Sequence, residues 1–235
     1  MKGVKILGKK HFDRIKTRWS AWLALFILAL IYEALPTIFY WGPHGLLLAF
    51  VSLLTIPMIV AHWRESYRLN RMLVLTVNGL ITLYIIISIS RLVLAALEGQ
   101  IGPNHLLVSS VLLWIANIFL FALWYWDLDA GGPRKRELKE KINITAFLFP
   151  QAQIALTENS LLLSNSIKNW EPKFIDYLFL AFNTSTAFSP TDTPILARWA
   201  KCLTMVQALL SLTIILMLAA RAVNILSSEG NYLVS

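Results

Sequence analysis

The chain reads as an all-α polytopic membrane bundle, with five spanning helices plus a re-entrant half-helix and polar loop. Three observations predict it. Uncharged apolar runs of roughly 18 or more residues recur along the chain, long enough to span a bilayer as helix. Of 235 residues, 57% are hydrophobic and only 14% charged, against about 25% charged in an ordinary soluble domain; mean hydropathy is +0.62. The third observation is the stretch "DYLFLAFNTSTAFSPTDTP", residues 176–194, which sets six hydroxyl side chains and two prolines between two apolar segments.

The spans run in order along the chain. The first extends from about Trp19 to Tyr40, the second from Gly45 to Ala61, the third from Met72 to Leu97. The fourth extends from Leu106 to Trp126 and the last from Trp199 to Leu226. The second is short and holds Pro57, which predicts a kink or tilt. The basic start followed by "AWLALFILALIY" resembles the front of a signal peptide, but Glu33 and Pro36 come next without a small-residue cleavage pattern, so an uncleaved first helix is expected.

The net charge of +8 sits in short segments flanking apolar runs. That is the positive-inside pattern, and it points to membrane lipids as partners and away from nucleic acid. Residues 1–18 form a basic tail and place the amino terminus in the cytoplasm. The link with Arg64, Arg68 and Arg71 falls on the same side, as does the segment with Arg134, Lys135, Arg136, Lys139 and Lys141. "WGPHG" and "EGQIGPNH" become the outer turns. Trp and Tyr gathered at the segment ends read as an interfacial belt. The division expected is a tail (1–18), a four-helix region (19–126), a cytoplasmic connecting segment (127–173) and a pore-like unit (174–235). In the connecting segment, "ITAFLFPQAQIAL" is too short to span, and reads as interfacial or packed on the bundle.

Chemistry-bearing patterns are sparse. Cys202 is the single cysteine and lies in an apolar run; His11, His44, His62 and His105 are scattered without ligand-like spacing. No nucleophile–base pair, metal set or phosphate loop stands out, so no enzyme, metal or cofactor is expected. Asp127 and Asp129 come after a helix end that reads as facing water.

Glu33 and Arg91 are an acid and a base at membrane depth, in the outer halves of parallel helices, and form a candidate intramembrane charge pair. A structural ion pair, or snorkelling of Arg91, is the plainer reading. Asn78, Asn117, Gln207 and Asn224 read as interhelical hydrogen-bonding groups, and Arg221 as a snorkelling end residue. Thr204, Gln207 and Ser211 define a polar stripe on the last helix, suited to lining a water path or to packing on another helix.

Residues 174–182 are too short to cross, and Pro190 and Pro194 exclude regular helix beyond them. Non-helical backbone at membrane depth is tolerated only where protein buries it or water reaches it. Two readings fit: a re-entrant half-helix whose loop of Thr184, Ser185, Thr186, Ser189, Thr191 and Asp192 contacts an ion, or a surface linker in which Asp192 caps the last helix.

The order half-helix, Thr-rich turn, Asp192, Pro194 and long helix, over residues 174–226, resembles the pore region of tetrameric cation channels. The segment "TAFSPTD" lacks the glycines of a potassium filter and carries Pro190, so the resemblance implies no potassium selectivity. The predicted topology also brings the loop in from the cytoplasmic side. Over residues 117–226, "FALWYWDLDAGG", "FLFP", "DYLFLAF" and "TAFSPTD" resemble a group of small uncharacterised bacterial integral-membrane proteins. That resemblance implies a bacterial inner-membrane protein and no activity. The functional expectation is a channel-like passive ion path for monovalent ions, with Thr204, Gln207 and Ser211 beside the loop, built by a homo-oligomer because one hairpin cannot enclose a pore. The alternative is a non-conducting scaffold or accessory subunit.

Overall fold

The computed structural model describes residues 19–39, 43, 45, 49, 52–53, 67–99, 101–137, 145–157, 170–186 and 192–232. These are mostly helical. Helix α1 is Trp19–Glu33. Pro36 stops it, because proline lacks the N–H a helix needs and drives the preceding residue out of the helical region; a single 3-10 turn, Thr37–Phe39, comes next. The first span expected, Trp19 to Tyr40, is thus broken after Glu33. The second, Gly45 to Ala61, lies almost wholly outside the described residues.

Helix α2 is Tyr67–Glu98 and α3 is Pro103–Leu128, with proline in the first turn, where its missing N–H costs nothing. Two short helices, α4 (Pro133–Glu137) and α5 (Pro150–Thr157), occupy the connecting segment. Helix α6 is Phe174–Thr186 and α7 is Arg198–Tyr232. Among the described residues, α2, α3 and α7 are long and apolar enough to cross a membrane.

Helix α3 is the hub. It packs against α2, α6 and α7, and 61% of its apolar stretch is buried, against 33% for α2 and 22% for α7. The apolar faces left open, such as Leu83 and Leu94 on α2 and Leu209, Leu212 and Leu216 on α7, suit lipid or a second subunit.

The carboxyl end of α3 carries an aromatic core. Trp126, Tyr125, Tyr177 and Phe147 are almost wholly buried there. Phe147 lies 5.0 Å from Tyr125, Phe149 5.3 Å from Tyr177, and Trp126 5.6 Å from Tyr177, ring centre to ring centre. Such tilted and edge-on pairs gain about 0.5–1.5 kcal/mol each beyond burial. "AFLF" therefore packs onto the bundle, the second of the two placements its length allowed.

Candidate functional site

Helix α6 has 13 residues, about 20 Å at 1.5 Å per residue, too little to cross a bilayer. Its inner face is Phe174, Tyr177, Leu180, Ala181 and Ser185, at helical spacing and buried; Ile175, Phe179 and Phe182 point outward. Phe174 meets Trp126 at the carboxyl end of α3 (6.1 Å), whereas Phe182 meets Trp114, three turns back along α3 (6.1 Å). So α6 starts at the carboxyl end of α3 and runs antiparallel to it, ending near its middle.

The chain then comes back. Phe147 and Ile195 form an isolated antiparallel bridge; Leu148 N donates to Pro194 O (2.9 Å) and Leu196 N to Ala146 O (2.8 Å). Phe147 belongs to the aromatic core beside Tyr125 and Tyr177, so the return leg lies at the same end of α3 from which α6 departs. From there α7 runs alongside α3 in the opposite direction. Residues 174–186 and 192–196 thus form two legs that share one end of α3, and residues 187–191, which join them, lie outside the described residues.

Two polar nodes hold these legs. At the base, Asp129 is fully buried. Its carboxyl group accepts from Tyr177 Oη (2.6 Å) and from Ala146 N (2.7 Å), tying α3, α6 and the return-leg partner together. Arg136 Nη1 donates to the carbonyls of Trp126 (2.9 Å) and Asp129 (2.7 Å), and its guanidinium lies 4.4 Å from the Trp126 ring centre and 5.2 Å from that of Tyr177. The expectation that Asp129 faces water is corrected here: Ala130 and Gly131 take left-handed backbone (φ 51° and 82°), reversing the chain so that 145–149 covers the carboxylate. The signal for this lay in "WYWDLDAGG", an acid enclosed by aromatics and trailed by a glycine pair.

Toward the tip, Gln207 is the centre. It accepts from the Tyr125 hydroxyl and donates to Ala181 O (2.7 Å) and Ser185 Oγ (2.8 Å). One turn on, Asn117 Nδ2 donates to Ser211 Oγ (2.7 Å). Thr204, Gln207 and Ser211 are all buried, so the polar stripe of α7 faces α3 and α6. Thr184 Oγ1 and Thr186 Oγ1 bond back to the carbonyls of Leu180 (2.8 Å) and Phe182 (3.0 Å). Both border a shallow groove with Ser185, Leu209, Leu212 and Ile215 at the tip. Asp192 is exposed on the return leg; Ser189 and Thr191 lie outside the described residues.

The charged groups at the far side attach to one loop. Glu33 accepts from Gly45 N (3.0 and 3.2 Å), and Arg91 Nη1 donates to Ile38 O (3.3 Å). Both brace the segment by which the chain leaves α1. Arg221 donates to Ala96 O (2.8 Å), one of the last carbonyls of α2, where a cation is favourable. Asn78 Nδ2 joins α2 to α3 through Asp127 Oδ2 (3.0 Å). Among the described residues no group of three His, Cys, Asp or Glu side chains is placed to hold a metal.

Comparison of the chain with family models, with curated proteins and with solved structures finds no match.

Proposed function

We propose that the chain is a subunit of a channel-like membrane oligomer that provides a passive ion path at a re-entrant hairpin. One observation carries this reading: α6 leaves one end of α3 and ends near its middle, and the described residues that follow, from Asp192 on, rejoin the end from which it left. In a bilayer that geometry brings hydroxyls and a broken helix to membrane depth, where irregular backbone is tolerated only beside protein or water. Thr184, Thr186, Ser189, Thr191 and Asp192 are the ion-contacting set in this proposal. Ser185, Thr204, Gln207 and Ser211 position them in this proposal, because these four side chains are buried whereas Thr184 and Thr186 are not. The open face of α7 is where neighbouring subunits would meet. Five crossings, a cytoplasmic amino terminus, the bacterial inner membrane and kinship with small bacterial membrane proteins belong to the same proposal, and rest on the charge pattern and motifs of the sequence.

A second reading, a non-conducting scaffold, is favoured by the dryness of the α7 stripe: Gln207 spends its amide on Tyr125, Ala181 and Ser185.

Ion flux through purified protein in liposomes separates the two. The channel reading expects flux of monovalent cations, protons or chloride from wild type, with changed rate or selectivity in a Thr186→Val/Asp192→Asn variant of equal folding. Absence of flux from folded, inserted protein would leave the scaffold.

A further inference from the structure

Two buried polar atoms stand without a hydrogen-bond partner on α3, where it meets α6 and α7. Trp114 Nε1 is a donor and Asn117 Oδ1 an acceptor, and neither is reached by solvent. Three residues separate them, so both side chains project from one face of the helix, about one turn apart. The ring of Trp114 stands edge-on to Phe182, near the end of α6 (6.1 Å). The other arm of the Asn117 amide, Nδ2, donates to Ser211 Oγ (2.7 Å) and lies 3.5 Å from Gln207 O, which can only accept. That carbonyl fixes which way the amide faces, and the oxygen is the arm left over.

Buried groups are rarely left unpaired, and each one raises the free energy of the packed state by the hydration it has lost. The route by which water could reach these two is short. Ser211, which Asn117 holds, also lines the groove of about 150 Å³ between the end of α6 and α7, together with Thr184, Thr186 and Leu212. Gln207 fastens this end of α6 to α7 through Ala181 O (2.7 Å) and Ser185 Oγ (2.8 Å), whereas the Thr186 hydroxyl bonds back to its own helix at Phe182 O (3.0 Å).

We propose that the end of α6 is a gate with two states. In the dry state, the one described above, it packs on Trp114 and both atoms are kept from water. In the other it swings off α3, and water entering from the groove accepts from Trp114 Nε1–H and donates to Asn117 Oδ1. The ligand of this site is water because water is donor and acceptor at once, and so fits an unpaired donor beside an unpaired acceptor. Hydration of the two atoms offsets part of the packing lost on opening, which brings the two states close enough to exchange. What the gate controls, a passing ion, rests on the channel reading; the two states rest on the unpaired atoms alone.

The test replaces one group. Benzothienylalanine in place of Trp114 keeps the shape of the ring and puts sulfur where the N–H stood, so a merely structural role for the ring predicts no effect. The full chain carries Ser185→Cys in a Cys202→Ser background, and its rate of reaction with N-ethylmaleimide in micelles reads how often the dry state opens. The isostere is expected to react about tenfold more slowly than its parent, because opening no longer gains a hydrogen bond to water. In wild type, the indole proton of Trp114, assigned by NMR as the signal the isostere lacks, should exchange with deuterium faster than backbone amides in the middle of α3, and faster still in Gln207→Leu. A thiol that reacts equally fast or faster in the isostere, or an indole proton as protected as those amides, would overturn the gate. Slowed thiol reaction in a protein that carries no ion across liposomes would remove the channel reading and leave the gate standing.

Discussion

Gln207 shows how a single side chain sets the position of a half-helix. Its amide is buried at a three-helix junction, and its carbonyl and NH2 are both used. Replacing it by Leu removes both and takes one hydrogen-bond partner from the Tyr125 hydroxyl, the Ser185 hydroxyl and the Ala181 carbonyl. A buried polar group left without a partner costs about 1–3 kcal/mol, while interhelical bonds in membranes average nearer 0.6. Gln207→Leu is therefore expected to destabilise the protein by about 1–2 kcal/mol, read as earlier unfolding in a denaturant titration in mixed micelles. Within a folded Gln207→Leu sample, a thiol placed at Ser185 should also react faster than in the parent. The sequence marked Gln207 as a polar residue in an apolar helix, and periodicity put Thr204 and Ser211 on its face. Which neighbour that face meets is a long-range matter that spacing along one helix does not contain.

Elements differ in how plainly they were written. The third, fourth and last spans were legible, because a run of apolar residues between Arg- or Gly/Pro-bearing links has one outcome in lipid; α2, α3 and α7 extend them by a few residues at most ends. The break after Glu33 was also written, in Pro36, but the apolar residues beyond it masked the stop. The half-helix was legible as too short to cross; its direction was not, since that depends on the Phe174–Trp126 and Phe182–Trp114 contacts. The glycine turn after α3 is the element on which the base of the hairpin turns. Gly132 has φ 96°, and a Cβ there would stand 3.1 Å from Asp127 O, so Gly132→Ala meets both backbone strain and a close approach. It should cost more than the roughly 1 kcal/mol that a compatible Gly→Ala change gains. The loss should be smaller in Ala130→Gly/Gly132→Ala, since glycine relieves the left-handed strain at Ala130 (φ 51°). Thermal unfolding of the three proteins side by side checks the order.

At the scale of the molecule, α3 is the post against which α2, α6 and α7 pack. Toward α6 and α7 it supports the hairpin through Tyr125, Asn117 and Asp129; toward α2 it is tied through Asp127, which accepts from Asn78. The ordering of partners along the chain has a consequence for how the protein is made. Asn117, Ala181 and Ser185 bond side chains of α7, and Tyr125 bonds Gln207, all of which the ribosome delivers last. Until Gln207 arrives, α6 is an amphipathic segment whose Ala181 carbonyl and Ser185 hydroxyl lack the Gln207 amide, and it is expected to rest at the membrane surface. The hairpin is thus expected to fold in last, once α7 has been made. A nascent chain stopped at Thr193, carrying Ser185→Cys, should be labelled by a membrane-impermeant maleimide. The completed chain with the same thiol, in a Cys202→Ser background, should resist it.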